Sequence, residues 1–219
     1  MNIEISSHAS KLTPEGETTK PFRPEPDRET ELKIQLGGDA EERLRQELAN
    51  SPLCEGPVET RNLVSVYHDT PKFALAGAGI ALRLRKVGDD WVQTVKKRPQ
   101  GQEGRGLFAA VEHERPAPEG ALLLDDGEAP ELMAEIRALV GGEAIAPVFE
   151  TRVKRDIARL RTEKGRVELA VDRGEVIAGA LFAPIREAEI ELLEGEVGAV
   201  FEAARTLFVA GPLRFSEEP

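Results

Sequence analysis

Residues 29–36 read Glu29-Thr30-Glu31-Leu32-Lys33-Ile34-Gln35-Leu36, and the alternation of that stretch decides the fold class. Successive residues of a strand face opposite sides, so Leu32, Ile34 and Leu36 share one face. Glu29, Glu31, Lys33 and Gln35 share the other, and Thr30 is the weak member of the apolar side. A strand with one dry face and one charged face needs a packing partner on the dry side only.

Working outward, Gly37-Gly38-Asp39 predicts a turn, with Asp39 as N-cap of a helix from Ala40 to about Ala49. Val58 to Asp69 reads as a strand, and Pro71 to Gly77 as a turn or a single helical turn. Ile80 to Val87 is the next strand. Gly88-Asp89-Asp90 suits a hairpin into Trp91 to Lys97. A Gly-rich loop from Gln100 to Gly106 leads to a strand from Leu107 to Glu114, which Pro116 and Pro118 end. Leu132, Ile136 and Leu139 have helical spacing within Ala129 to Val140, and Gly141-Gly142 stops that helix. Further strands are expected at about Pro147–Arg161, Arg166–Asp172, Val176–Ala180 and Pro184–Leu193. Val197 to Val209 closes the set as a helix with Val200, Ala204, Leu207 and Phe208 on one face. Eight or nine strands linked mostly by hairpin turns, with flanking helices, predict an α+β protein built on a barrel or sandwich.

The polar faces of these strands carry formal charges two residues apart: Glu29/Glu31 with Lys33, Arg83/Arg85, Glu112/Glu114, Arg152/Lys154 and Glu189/Glu191. Lys96 ends the hairpin partner of Arg83/Arg85. A solvated outer face is the plain reading of any single pair. The opposite faces of the same strands are apolar, however: Leu32/Ile34, Leu82/Leu84 and Ile190/Leu192. If those faces pack under helices, the charges point into a closed barrel. Lys33, Arg83, Arg85, Lys96, Arg152 and Lys154 would then match a highly anionic ligand such as a phosphate chain, which arginine forks bind in bidentate fashion. Carboxylates beside such a ligand need a hard divalent ion, Mg²⁺ or Mn²⁺, between them and the phosphate oxygens.

Composition excludes several classes. The chain has 219 residues, 40% hydrophobic, 5% aromatic and 32% charged, with a net charge of −11. That acidity argues against general nucleic-acid binding. No stretch approaches a membrane span, and the N-terminus has no apolar signal core, so a cytoplasmic location is expected. The lone Cys54 permits no internal disulfide and reads as a small half-buried residue. Residues 1–28, with Pro14, Pro21, Pro24 and Pro26 among polar and charged neighbours, read as a flexible leader.

Together these segments resemble the CYTH domains, or triphosphate tunnel metalloenzymes. Glu29-Thr-Glu31-Leu-Lys33 is similar to the E-x-E-x-K signature that opens the family. Tyr67-His68-Asp69-Thr70-Pro71 is similar to its Y-F-D-T-P element, with His68 in place of Phe and read as a packing residue. Gly79-Ile80-Ala81-Leu82-Arg83-Leu84-Arg85, Trp91 to Lys96 and Ala188 to Leu192 follow in family order. The resemblance covers residues 29 to about 216. It implies an eight-stranded antiparallel closed tunnel and, most similar among members, a bacterial inorganic triphosphatase. It assigns Glu29, Glu31, Glu189 and Glu191 to metal binding, and Lys33, Arg83, Arg85 and Lys96 to phosphate. Arg152-Val153-Lys154-Arg155 offers two registers, of which Arg152 and Lys154 are chosen for phosphate. Asp172 is preferred to Glu168 as the strand acid binding metal. Glu112 joins Glu29 and Glu31 as a candidate for orienting water, with Glu114 beside it. A homodimer, and a CHAD domain fused beyond residues 217–219 in a longer parent protein, are carried as expectations. Class IV adenylate cyclase, thiamine triphosphatase and a non-catalytic polyphosphate-binding module remain as alternatives.

Overall fold

The computed structural model describes residues 28–98, 107–125, 127–208 and 214–215. Residues 1–27 of the expected leader, the Gln100–Gly106 loop and residues 217–219 lie outside the described residues, and Arg28, expected in the leader, opens the first strand. The strands are β1 (Arg28–Gln35), β2 (Glu59–Asp69), β3 (Ile80–Val87), β4 (Asp90–Lys97), β5 (Leu107–Pro116), β6 (Ala146–Thr162), β7 (Gly165–Ala178), β8 (Leu181–Gly195) and β9 (Arg214–Phe215). The helices are α1 (Ala40–Asn50), α2 (Ala74–Gly77), α3 (Pro130–Val140) and α4 (Gly198–Leu207).

Neighbouring strands run in the order β5-β4-β3-β2-β6-β7-β8-β1, and β1 pairs with β5 as well, which closes an eight-stranded antiparallel barrel. β9 adds to the far end of β1. Closure removes the exposed edges that an open sheet would present.

The apolar faces point outward and are covered by helices in two blocks. Leu44 and Leu48 of α1 and Ala199, Val200, Ala203, Ala204 and Leu207 of α4 pack on Leu32, Ile34, Leu160, Leu169, Ile190 and Leu192. Leu75 of α2 and Met133, Ile136 and Val140 of α3 pack on Ile80, Leu82 and Val95. Burying a Leu or Ile of this kind contributes roughly 1.5–3 kcal/mol. These blocks hold the charged faces inward. Outside β4, Gln93 accepts from the Leu123 N–H at 2.8 Å and donates to the Leu123 carbonyl at 2.9 Å. That clasp ties down the segment leading to α3. Among the described residues no helix is long and apolar enough to cross a membrane.

Three local expectations change. Asp39 sits at the N-cap position of α1 without a capping hydrogen bond, and its carboxylate pairs with Arg43 instead. Leu132 and Leu139 flank the buried stripe of α3, which is Met133, Ile136 and Val140. The strands expected at Arg166–Asp172 and Val176–Ala180 are one strand, β7. Asp172-Arg173-Gly174 resembles a turn in sequence, but Gly174 pairs with Val153 on one side and Ile185 on the other. A Cβ at Gly174 would lie 2.0 Å from the Arg152 carbonyl oxygen and 2.8 Å from the Val153 Cα. The glycine therefore serves close strand approach and not chain reversal.

Gly174→Ala is expected to lower the melting temperature by at least about 4 °C, from overpacking against rigid backbone of about 1–3 kcal/mol. An unchanged melt would show that β6 and β7 separate at this point.

Candidate functional site

Strand parity sets the interior. Cross-strand partners share a face, and the register aligns Glu31 with Glu191, Lys33 with Glu189, Asp172 with Glu187, Lys96 with Glu112, and Arg83 with Thr94. The side chains of Glu29, Glu31, Lys33, Arg83, Arg85, Lys96, Glu112, Asp172, Glu189 and Glu191 thereby converge inside the barrel. They interlock as ion pairs. Lys96 Nζ lies 2.7 Å from Glu29, 3.1 Å from Glu31 and 3.8 Å from Glu112. Lys33 Nζ lies 2.7 Å from Glu189 and 3.4 Å from Glu187. Arg83 reaches Glu112 at 3.4 Å and Glu114 at 3.5 Å, and Thr94 donates to Glu114 at 2.7 Å.

The other register of the β6 basic segment is the one that faces inward. Arg155 donates to Asp172 through Nε at 2.7 Å and through a terminal nitrogen at 2.6 Å, and also reaches Glu189 at 2.8 Å. Arg152 and Lys154 fall on the opposite parity, are exposed, and do not line the tunnel. Arg152 pairs with Glu150 on the outside at 2.6 Å. The selection of those two residues for phosphate is thus corrected: they face outward, and Arg155 takes the inward place of this basic segment. Two more interior residues escaped the sequence reading. Glu187 continues the alternation of Glu189 and Glu191 backward by one step, a signal that was present. Ser65, paired in register with Arg85, accepts from Arg85 Nε at 3.0 Å, and nothing in the sequence marks it.

Electrostatics separates two acidic groups. Asp172, Glu187 and Glu189 offer oxygen atoms within 4.8 Å of one another. Their charge is already answered by Arg155 and Lys33. Burial opposes the ionised form of Glu189, but Lys33 and Arg155 outweigh it and hold this carboxyl down at about 2. Glu191 belongs to the second group. Burial, followed by Glu29, Glu168, Glu31 and Glu112, pushes its carboxyl up to about 8. Burial likewise raises Glu29 and Glu31, with Lys96 opposing. Carboxylates so crowded around one ammonium fit a hard divalent cation, and the oxygen-only donor set suits Mg²⁺ or Mn²⁺.

The cations are uneven too. Arg85 has no carboxylate partner among the described residues. Burial, then Arg83 and Arg155, push its guanidinium down to about 10, so it stays charged at neutral pH. Arg83 Nε is buried without a hydrogen-bond acceptor. Both guanidinium groups therefore keep donor capacity beyond their partners among the described residues.

Other singled-out residues are structural. Asp69 accepts from the N–H groups of Thr70, Leu75 and Ala76 at 2.7–2.9 Å, which fixes the turn into α2. His68 is buried with Nδ1 3.1 Å from the Val66 carbonyl. Trp91 lies outside the barrel under Gly120. Half-buried Cys54 places its sulfur 3.3 Å from the Leu48 carbonyl.

A model of the CYTH domain matches residues 27–219. An inorganic triphosphatase of Haemophilus influenzae is 30% identical over 193 residues, which cover 86% of this chain and 51% of that protein. The chain thus spans about half the length of this curated relative. Among solved structures, a candidate adenylyl cyclase from Hippeastrum with a dominant triphosphatase activity superposes with a TM-score of 0.57 at 22% identity. The match covers 87% of this chain and 92% of that one. A candidate adenylate cyclase from Bacillus halodurans gives 0.54 at 20% identity, over 85% and 94% of the two chains. These two likenesses carry the fold.

Glu191 yields a signed prediction. Its carboxyl is raised from 4.5 to about 8 on folding, so the ionisation penalty is absent below about pH 4.5, grows as pH rises, and is full above 8. In EDTA, Glu191→Gln should melt at least about 4 °C above the parent at pH 9. That gain should shrink toward pH 5, and a gain of equal size at both pH values would refute the assignment.

Proposed function

The chain belongs to the CYTH domain family, and from that premise we propose that it is a metal-dependent triphosphatase that hydrolyses inorganic triphosphate to pyrophosphate and phosphate inside the tunnel. The observation that carries the reading is the pairing of unsatisfied arginine donors at Arg83 and Arg85 with an overcrowded carboxylate group around Glu191. A plain anion binder has no use for those acids beside its cations. A plain metal site has no use for the arginines.

In this mechanism Arg83, Arg85, Arg155, Lys33 and Lys96 take the oxygens of the phosphate chain and hold it extended. Glu29, Glu31 and Glu191 would hold Mg²⁺ or Mn²⁺, with Glu168 close by in the same group. A bound divalent ion supplies charge neutralisation at the phosphoryl oxygens and lowers the pKa of water. Glu112 borders both parties, 3.4 Å from Arg83 and 3.8 Å from Lys96. It is the carboxylate best positioned to orient water and accept its proton as the terminal phosphorus–oxygen bond breaks. Asp172 and Glu189, which the resemblance assigns to metal, form with Glu187 a second acidic group that could hold an ion, and in this reading they orient Arg155 and Lys33.

One observation favours an organic triphosphate as a second reading. Tyr67 and Phe149 stack with ring centroids 4.4 Å apart and 16° between planes, and Tyr67 lies beside Arg83. An aromatic pair next to a phosphate anchor could border a base or a thiamine ring. Product analysis separates the readings.

Incubation of the chain with tripolyphosphate, ATP or thiamine triphosphate, with Mg²⁺ or Mn²⁺, is expected to release orthophosphate fastest from tripolyphosphate and to form no cyclic AMP. Arg155→Ala, Lys33→Ala and Arg85→Ala should each cut tripolyphosphate turnover at least tenfold. Arg152→Ala and Lys154→Ala should stay within twofold of the parent. Undiminished turnover in excess EDTA, or equal losses from the inner and outer pairs, would overturn the proposal.

A further inference from the structure

Inside the tunnel most of the cations and anions answer one another. Lys96 is the central case. Its ammonium sits where Glu29, Glu31 and Glu112 meet, at 2.7, 3.1 and 3.8 Å, and Glu31 is only 4% exposed. Among the described residues no other cation forms an ion pair with Glu29 or Glu31, and Lys33 and Arg98 act on Glu31 only from longer range. Lys33 is engaged by Glu189 and Glu187, and Arg155 by Asp172 and Glu189.

A divalent ion arriving alone would have to compete with the Lys96 ammonium for the same carboxylate oxygens. Success would strand a buried ammonium without a partner, which is strongly unfavourable. A phosphate chain arriving alone would draw Lys96 away and strand the carboxylates. Only when both arrive does every charge keep a partner. We propose that Lys96 is the resident counter-ion of the metal site, and that its transfer from carboxylates to phosphate couples metal binding to triphosphate binding. The proposal rests on the metal-site reading given above. Lys96 then acts on the metal as a positioning residue, through Glu29 and Glu31. Coupling of this kind is reciprocal, so each ligand strengthens the other by the same factor.

A lysine that only contacts substrate and a lysine that also guards the metal site make opposite predictions for Mn²⁺ alone. Methionine keeps the unbranched stem of lysine and deletes the charge. Free Mn²⁺ is read by electron paramagnetic resonance during titration of the chain without any phosphate compound. Lys96→Met is expected to bind Mn²⁺ at least tenfold more tightly than the parent, although it loses a residue of the substrate-binding set. Its melting temperature should fall in EDTA and recover with Mn²⁺ by more degrees than the parent gains, which keeps the test valid even if the variant is partly unfolded without metal. The mirror measurement uses calorimetry with tripolyphosphate in EDTA, where Glu29→Gln should bind at least threefold more tightly because Lys96 is released. Mn²⁺ affinity that is unchanged or weaker in Lys96→Met overturns the counter-ion role while leaving the triphosphatase reading intact. No Mn²⁺ binding by parent or variant, with or without tripolyphosphate, overturns both.

Discussion

An ionised side chain removed from water must have an opposite charge at hand, and the tunnel is arranged around that requirement. Its walls present acids and bases on alternate residues of β1, β3 and β8, joined by Lys96, Glu112, Arg155 and Asp172 from neighbouring strands, in a partly enclosed interior. Lys96 among three glutamates, Lys33 between Glu189 and Glu187, and Arg155 on Asp172 and Glu189 are the local solutions. Pairing is incomplete in two places. Among the described residues Arg85 donates to the Ser65 hydroxyl without an ion-pair partner, and Glu191 is crowded by Glu29, Glu168, Glu31 and Glu112. Under the proposed function, a metal-bound triphosphate brings an anion to the first place and a divalent cation to the second.

That interior exists because of the outer surface. α1 and α4 seal one side of the barrel and α2 and α3 seal another, so each strand has one face it must keep dry. On β1, β3 and β8 period-two alternation then turns the charges opposite the buried apolar residues inward. The β1–β5 pairing completes the enclosure, setting Glu29 and Glu31 against β5 on one side while Glu31 and Lys33 face β8 on the other. An open sheet of the same strands would let water answer these charges, and the crowding at Glu191 would relax.

The alternation also explains what could be read from the chain. Glu29 to Leu36 and Ile80 to Arg85 have unbroken periods, so their inward residues follow from parity alone. The segment Arg152-Val153-Lys154-Arg155 does not, because adjacent basic residues satisfy either parity. Only the register with β7, where Arg155 meets Asp172, decides between them. Gly174 misleads for a related reason: its role is a 2.0 Å approach to a neighbouring strand, and sequence alone cannot distinguish that from a turn. Asp69 shows the converse limit. An acid in a signature element invites a chemical role, yet its oxygens are consumed by three backbone N–H groups that build the entry to α2.

The net charge of −11 acquires a meaning in this frame. A surface of that sign repels free polyanions at long range, and salt attenuates the repulsion beyond about 8–10 Å. Binding must therefore be won at short range, inside the tunnel, where guanidinium forks and ammonium groups meet phosphate without intervening water. Those cations are mostly engaged with carboxylates beforehand, so a bare anion gains little by displacing them. An anion that carries its own divalent ion gives the released carboxylates a new partner in the same event. Under the proposed function, selectivity for the metal complex over the free phosphate chain would follow from the need to pair every charge in a confined space.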